Sequence, residues 1–176
     1  MRTPDFAASA SAKVVIYNPF TPSGTLDSRF KVVAVKNALN PGCLSSGVAG
    51  GSSFRCFTNP DIYDPCFAPR GATKGPVYCP VLLPRDVVEI RTGKLPSLLK
   101  GQPYRPWALE LSDGKVCVLV DAAWGGLGPF GCNAPVGVVA DCRIPTSSEG
   151  RWTTRCQKRE DPESPFTAYR IVTVWK

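Results

Sequence analysis

Eight cysteines, Cys43, Cys56, Cys66, Cys79, Cys117, Cys132, Cys142 and Cys156, are spread through the chain with no two closer than ten positions. A zinc site made of cysteines alone needs a close Cys-x2-4-Cys pair to present two thiolates on one turn, and thioredoxin-type chemistry needs Cys-x-x-Cys. The chain has neither, so the expectation is no metal and no cofactor. An even number of widely spaced cysteines fits a disulfide framework built in an oxidising compartment. The successive gaps are 13, 10, 13, then 38, then 15, 10, 14, which defines two four-cysteine clusters of similar shape, 43–79 and 117–156. Eight cysteines allow on the order of a hundred connectivities. The clustering favours the sequential one, in which each cysteine pairs with its neighbour inside its own cluster. Phe54-Arg55-Cys56 also parallels Phe130-Gly131-Cys132, and internal duplication would explain the likeness.

Histidine is absent from all 176 residues. That removes the commonest general base, the commonest metal ligand and every Ser-His or Cys-His arrangement. A hydrophobic content of 43% is enough to fill a core, and the length suits a single domain. Residues 1–12 read as a flexible arm and 13–176 as that domain. No stretch is long and apolar enough to be a transmembrane segment. The small-residue run Ala7 to Ala12 resembles the surroundings of a signal-peptidase site, so the chain is expected to be a mature or recombinant form of a secreted or cell-surface protein whose export signal is not shown. No Asn-x-Ser/Thr acceptor occurs.

Eighteen prolines and sixteen glycines break the chain into short pieces, which leaves little room for helix. Strands are expected at Lys13–Tyr17, Phe30–Lys36, Asp86–Arg91, Trp107–Leu111, Lys115–Asp121, Val136–Ala140, Arg151–Arg155 and Ala168–Trp175. Between two of them, Ser112-Asp113-Gly114 has the composition of a tight hairpin turn. In the last one, Tyr169, Ile171, Thr173 and Trp175 alternate with Arg170, Val172 and Val174, which predicts two opposite faces. The fold class is therefore all-β, a disulfide-stapled sandwich or small barrel of about eight short strands joined by long loops.

The segment from Arg55 to Phe67, Arg-Cys-Phe-Thr-Asn-Pro-Asp-Ile-Tyr-Asp-Pro-Cys-Phe, resembles a domain of secreted actinobacterial proteins. Tyr17-Asn-Pro-Phe-Thr-Pro-Ser-Gly-Thr-Leu26 and Pro106-Trp-Ala-Leu-Glu-Leu-Ser-Asp-Gly-Lys-Val-Cys117 are similar to further segments of it, and the likeness runs through most of the chain from Tyr17. The resemblance implies an exported extracellular domain and implies no reaction.

Carboxylate pairs are the remaining catalytic currency. Asp61 with Asp64, and Glu110 with Asp113, form the pool for an extracellular hydrolase. Asn59-Pro60 and Asp64-Pro65 point instead to Asx-type turns for the first pair, and the second straddles the expected hairpin. The net charge of +7 is carried by both halves of the chain, without a basic tail or a nucleic-acid module. Its one dense cluster is Arg143, Arg151, Arg155, Lys158 and Arg159 against Glu149. On a strand Arg151, Thr153 and Arg155 share a face that can meet an anionic polymer. Among the tryptophans, Trp107 and Trp175 lie in apolar strands, whereas Trp124 precedes Gly125-Gly126 and is the candidate for an exposed aromatic contact. The leading expectation is a non-enzymatic binding or structural domain contacting cell-wall or surface polysaccharide, or assembling with itself through edge strands. The carboxylate hydrolase is the alternative. A protease inhibitor or toxin using Pro80-Val-Leu-Leu-Pro-Arg85 as a rigid exposed loop is a weaker third.

Overall fold

The computed structural model describes residues 11–46, 49, 53–82, 85–98, 105–119, 130–134, 137–158, 160–161 and 163–176. Among them there is no helix, and the named elements are fourteen strands. The single domain expected from chain length is built as two compact units, Tyr17–Arg105, and Met1–Ile16 with Pro106–Lys176. Each unit holds one cysteine cluster and its own buried core.

The first unit is a sheet of six strands: β2 (Lys31–Asn37), β3 (Cys43–Ser45), β4 (Ser53–Phe57), β5 (Ile62–Phe67), β6 (Gly75–Leu82) and β7 (Asp86–Thr92), in the order β2-β7-β6-β5-β4-β3. Strands β3 to β7 form an antiparallel meander, and β2 lies parallel to β7. Proline is normally excluded from interior strands because it cannot donate to the ladder. Here Pro65 falls where the β4–β5 register shifts, and Pro76 and Pro80 lie in β6, whose pairing with β5 is confined to Phe67 opposite Tyr78. Few ladder bonds are therefore lost. The proline-bracketed loop expected at Pro80–Arg85 is not a loop throughout, because residues 80–82 belong to β6; residues 83 and 84 lie outside the described residues.

The second unit contains β1 (Lys13–Val15), β8 (Ala108–Leu111), β9 (Val116–Leu119), β10 (Phe130–Ala134), β11 (Gly137–Cys142), β12 (Thr146–Ser148), β13 (Arg151–Lys158) and β14 (Thr167–Trp175). Six of these close into a barrel in the order β14-β8-β9-β10-β11-β13, with β13 returning to β14. Every neighbouring pair round the ring is antiparallel. Closure removes the exposed edges that an open sheet of this size would present. The β8–β9 turn is the one read from Ser112-Asp113-Gly114. Gly114 takes a φ of 82°, its N–H donates to the Leu111 carbonyl at 2.9 Å, and the Leu111 N–H donates to the Lys115 carbonyl at 2.8 Å.

The strict alternation expected in the last strand does not hold. The β14–β8 register shifts between Ile171 and Thr173. A bulge inserts one residue and flips the facing of everything beyond it. Ile171 and Val174 therefore both enter the barrel core, although simple alternation placed them on opposite faces. Trp107 and Trp175 are buried, as expected of apolar-strand residues.

Four disulfides join Cys43–Cys56, Cys66–Cys79, Cys117–Cys132 and Cys142–Cys156, the sequential pairing. Three of them link residues that register places directly opposite each other on adjacent antiparallel strands, and the fourth lies one position beyond the Phe67–Tyr78 pair. Both clusters also follow the same register. Phe54, two residues before Cys56, faces Cys66; Phe130, two residues before Cys132, faces Cys142. The likeness seen in the sequence is thus a likeness of three-dimensional build.

Candidate functional site

Among the described residues, an array of arginines lies on the outer wall of the barrel. Along β13, Trp152, Thr154 and Cys156 turn inward, which sends Arg151, Thr153 and Arg155 outward and exposed. The flanking strands extend this face. Thr153 is opposite Thr146 of β12 and Arg170 of β14, and Arg151 is opposite Ser148. Directly facing residues on a sheet project to the same side. Beyond the end of β11, the Arg143 N–H donates to the Arg155 carbonyl at 3.0 Å, which continues the β11–β13 ladder and sets Arg143 beside Arg155. Arg143, Arg151, Arg155 and Arg170 therefore share one wall, interleaved with the hydroxyls of Thr146, Ser148 and Thr153.

Local contacts hold these side chains in place. The Arg143 guanidinium sits 4.5 Å from the centre of the Phe166 ring, and its carbonyl accepts from Thr154 Oγ1 at 2.7 Å. Arg155 Nη2 donates to the Phe166 carbonyl at 3.5 Å. Arg151 pairs with Glu149 at 2.6 Å. Among the described residues no carboxylate forms an ion pair with Arg143, Arg155 or Arg170. The sequence reading brought forward the first three arginines but missed Arg170, because its 15-residue separation from Arg155 carries no local signal and only the β13–β14 register unites them. Lys158 is exposed at the end of β13, three positions past Arg155 and so off its face. Arg159 and Trp124 lie outside the described residues.

Glu149 and Gly150 form the two-residue turn between β12 and β13, with φ of 51° and 75°. Two successive positive φ values define the type I′ turn, which favours Asn-Gly and disfavours a glutamate in its first position. Replacing Glu149 by Asn should stabilise the unit by about 0.5–1 kcal/mol, since a left-handed residue other than Gly or Asn costs more than an exposed ion pair returns. A denaturant midpoint at or below that of the parent would contradict this.

The four candidate catalytic carboxylates are each engaged in the folded structure. Lys36 Nζ bonds Asp61 and holds its carboxyl below the ordinary carboxylate range, which leaves it ionised and unable to act as a general acid at neutral pH. Asp64 accepts from Ser46 Oγ. Glu110 accepts from Thr173 Oγ1 at 2.7 Å and is half-buried instead of fully solvent-facing. Asp113 is ion-paired with Lys115 across its own turn. The first pair lies in the sheet unit and the second in the barrel unit.

Among the described residues, no helix is long and apolar enough to cross a membrane. No family model, curated protein or solved structure matches the chain.

Proposed function

We propose that the chain is a secreted or cell-surface binding domain, without catalytic activity of its own, that holds an anionic surface polymer against the barrel wall bearing Arg143, Arg151, Arg155 and Arg170. The observation that carries this reading is the convergence of four arginines on one face, of which, among the described residues, only Arg151 is ion-paired, to Glu149. Arginine suits the task because its planar fork pairs bidentately with phosphate or carboxylate, and the hydroxyls between the arginines donate to the same oxygens. The four disulfides support an oxidising location, where cell-wall polymers and acidic polysaccharides are the accessible polyanions.

Binding of this kind releases counterions from the polymer. The dependence of log K on log salt falls by about 0.7 for each charge neutralised on a flexible single-stranded polyanion, so four arginines should give a slope of about −3. Titration with polyphosphate, and separately with a polyuronate, over a range of salt concentrations measures it. Arg155→Ala should weaken binding and reduce the slope by about 0.7, whereas Glu149→Asn should tighten binding. Binding that ignores salt, or that is unchanged in an Arg143→Ala/Arg155→Ala variant, would remove the proposal.

A further inference from the structure

The barrel core contains a second feature, one that the sequential pairing conceals. The bridges Cys117–Cys132 and Cys142–Cys156 staple consecutive strands of the ring, β9 to β10 and β11 to β13, and their side chains all turn inward. The Phe130–Cys142 register sets Cys132 and Cys142 diagonally across β10 and β11. Their sulfurs belong to different bridges yet lie 3.0 Å apart, and Cys117 Sγ is 4.0 Å from Cys142 Sγ. The first distance is inside the roughly 3.5–4.0 Å at which even carbon atoms rest without bonding. Sulfurs of Cys117, Cys132 and Cys142 all fall within 4.8 Å of one another, and among the described residues the sheet unit has no comparable group.

We infer that the barrel core is a thiol–disulfide exchange site in which Cys132 and Cys142 form a third bridge whenever either native bridge of this unit is reduced or loses its outer partner, Cys117 or Cys156. The chemistry balances. A dithiol reductant gives two electrons and two protons to the Cys142–Cys156 bond, becomes a disulfide itself and leaves two thiols. The Cys142 thiol loses its proton, and the thiolate attacks Cys132 Sγ. The S–S bond to Cys117 breaks, and Cys117 departs as a thiolate that takes up a proton. One bridge remains, now between β10 and β11, with thiols at Cys117 and Cys156. Reduction of Cys117–Cys132 instead runs the mirror sequence, with Cys132 attacking Cys142 and Cys156 departing, to the same product. The attack proceeds through the thiolate, in line with the bond it breaks, and is served by proximity and by rotation about the freed side chain. Both are available at a 3.0 Å separation. Two-electron reduction therefore moves the remaining staple to the middle of the ring, and the partner class is a dithiol or a dithiol oxidoreductase.

Single substitutions test this without any reductant. In Cys156→Ser the unpaired thiol begins at Cys142, and in Cys117→Ser it begins at Cys132. Alkylation under acid quench, followed by peptide mapping without reduction, locates the free thiol in the soluble monomer. Exchange predicts loss of label at Cys142 and its appearance at Cys117 in the first variant, loss at Cys132 and appearance at Cys156 in the second, and a Cys132–Cys142 peptide in both. A label that stays at Cys142 and at Cys132 overturns the inference. Should neither variant yield soluble monomer, the parent protein partly reduced with dithiothreitol gives the same readout. Its one-bridge barrel species then carry Cys132–Cys142, or carry only native bridges and refute it.

Discussion

Phe130→Ala and Phe54→Ala are expected to destabilise their units by about 3–5 kcal/mol each, a large part of the total stability of a small domain. Both rings are almost completely buried, at 1% and 2% exposure, and each packs in a core with the disulfides of its own cluster. Truncation to alanine removes the transfer free energy of the ring and leaves a cavity that the stapled strands around it are poorly able to fill by shifting. The repeat makes a sharper statement. Since Phe130 faces Cys142 as Phe54 faces Cys66, the two costs should agree within about 1 kcal/mol, which is less than the spread normally found among core phenylalanines. Denaturant unfolding of the two variants measures the costs. Hydrogen exchange assigns them, with protection falling in β9–β14 for Phe130→Ala and in β3–β7 for Phe54→Ala. Costs that differ by several kcal/mol would mean that the shared register does not carry shared energetics.

How much of this was legible in the sequence depends on the kind of signal. The eight strands expected from β-branched runs all occur, because Val, Ile and aromatic residues at short spacing favour an extended, half-buried backbone. The strands that escaped notice, β3, β4, β5, β6, β10 and β12, are short or rich in Cys, Pro, Gly and Ser, residues that ordinarily signal turns. There the cross-strand bridges supply what propensity lacks. Cys43, Cys56, Cys66, Cys79 and Cys132 all stand in strands that composition alone does not announce. Barrel closure is not decided by local signal, since the β14–β8 pairing that completes the ring joins segments separated by five whole strands. The arginine wall was half legible for the same reason. Period-two alternation exposes Arg151 and Arg155 together, but Arg170 joins them only through register, and the nearby bulge in β14 shows how easily register defeats alternation.

Removing a single bridge should have different consequences in the two units although the loops they close are almost equal. Cys43–Cys56 spans 13 residues and Cys142–Cys156 spans 14, so the chain-entropy model assigns about 3 kcal/mol to each. What each bridge holds differs. Strand β3 is the three-residue edge of an open sheet and pairs with β4 alone. In Cys43→Ala/Cys56→Ala it can therefore detach by itself, with local loss of hydrogen-exchange protection at Cys43–Ser45 and a denaturant midpoint that falls by less than the full entropy term predicts. Strands β11 and β13 belong to a closed ring in which each also pairs with a second neighbour, so neither can leave without opening the barrel. In Cys142→Ala/Cys156→Ala the whole amount, about 3 kcal/mol, should appear in global unfolding of the unit, with protection lost throughout β8–β14 together. Equal global losses from both double variants would show that β3 is bound into its sheet as firmly as a strand of a closed ring.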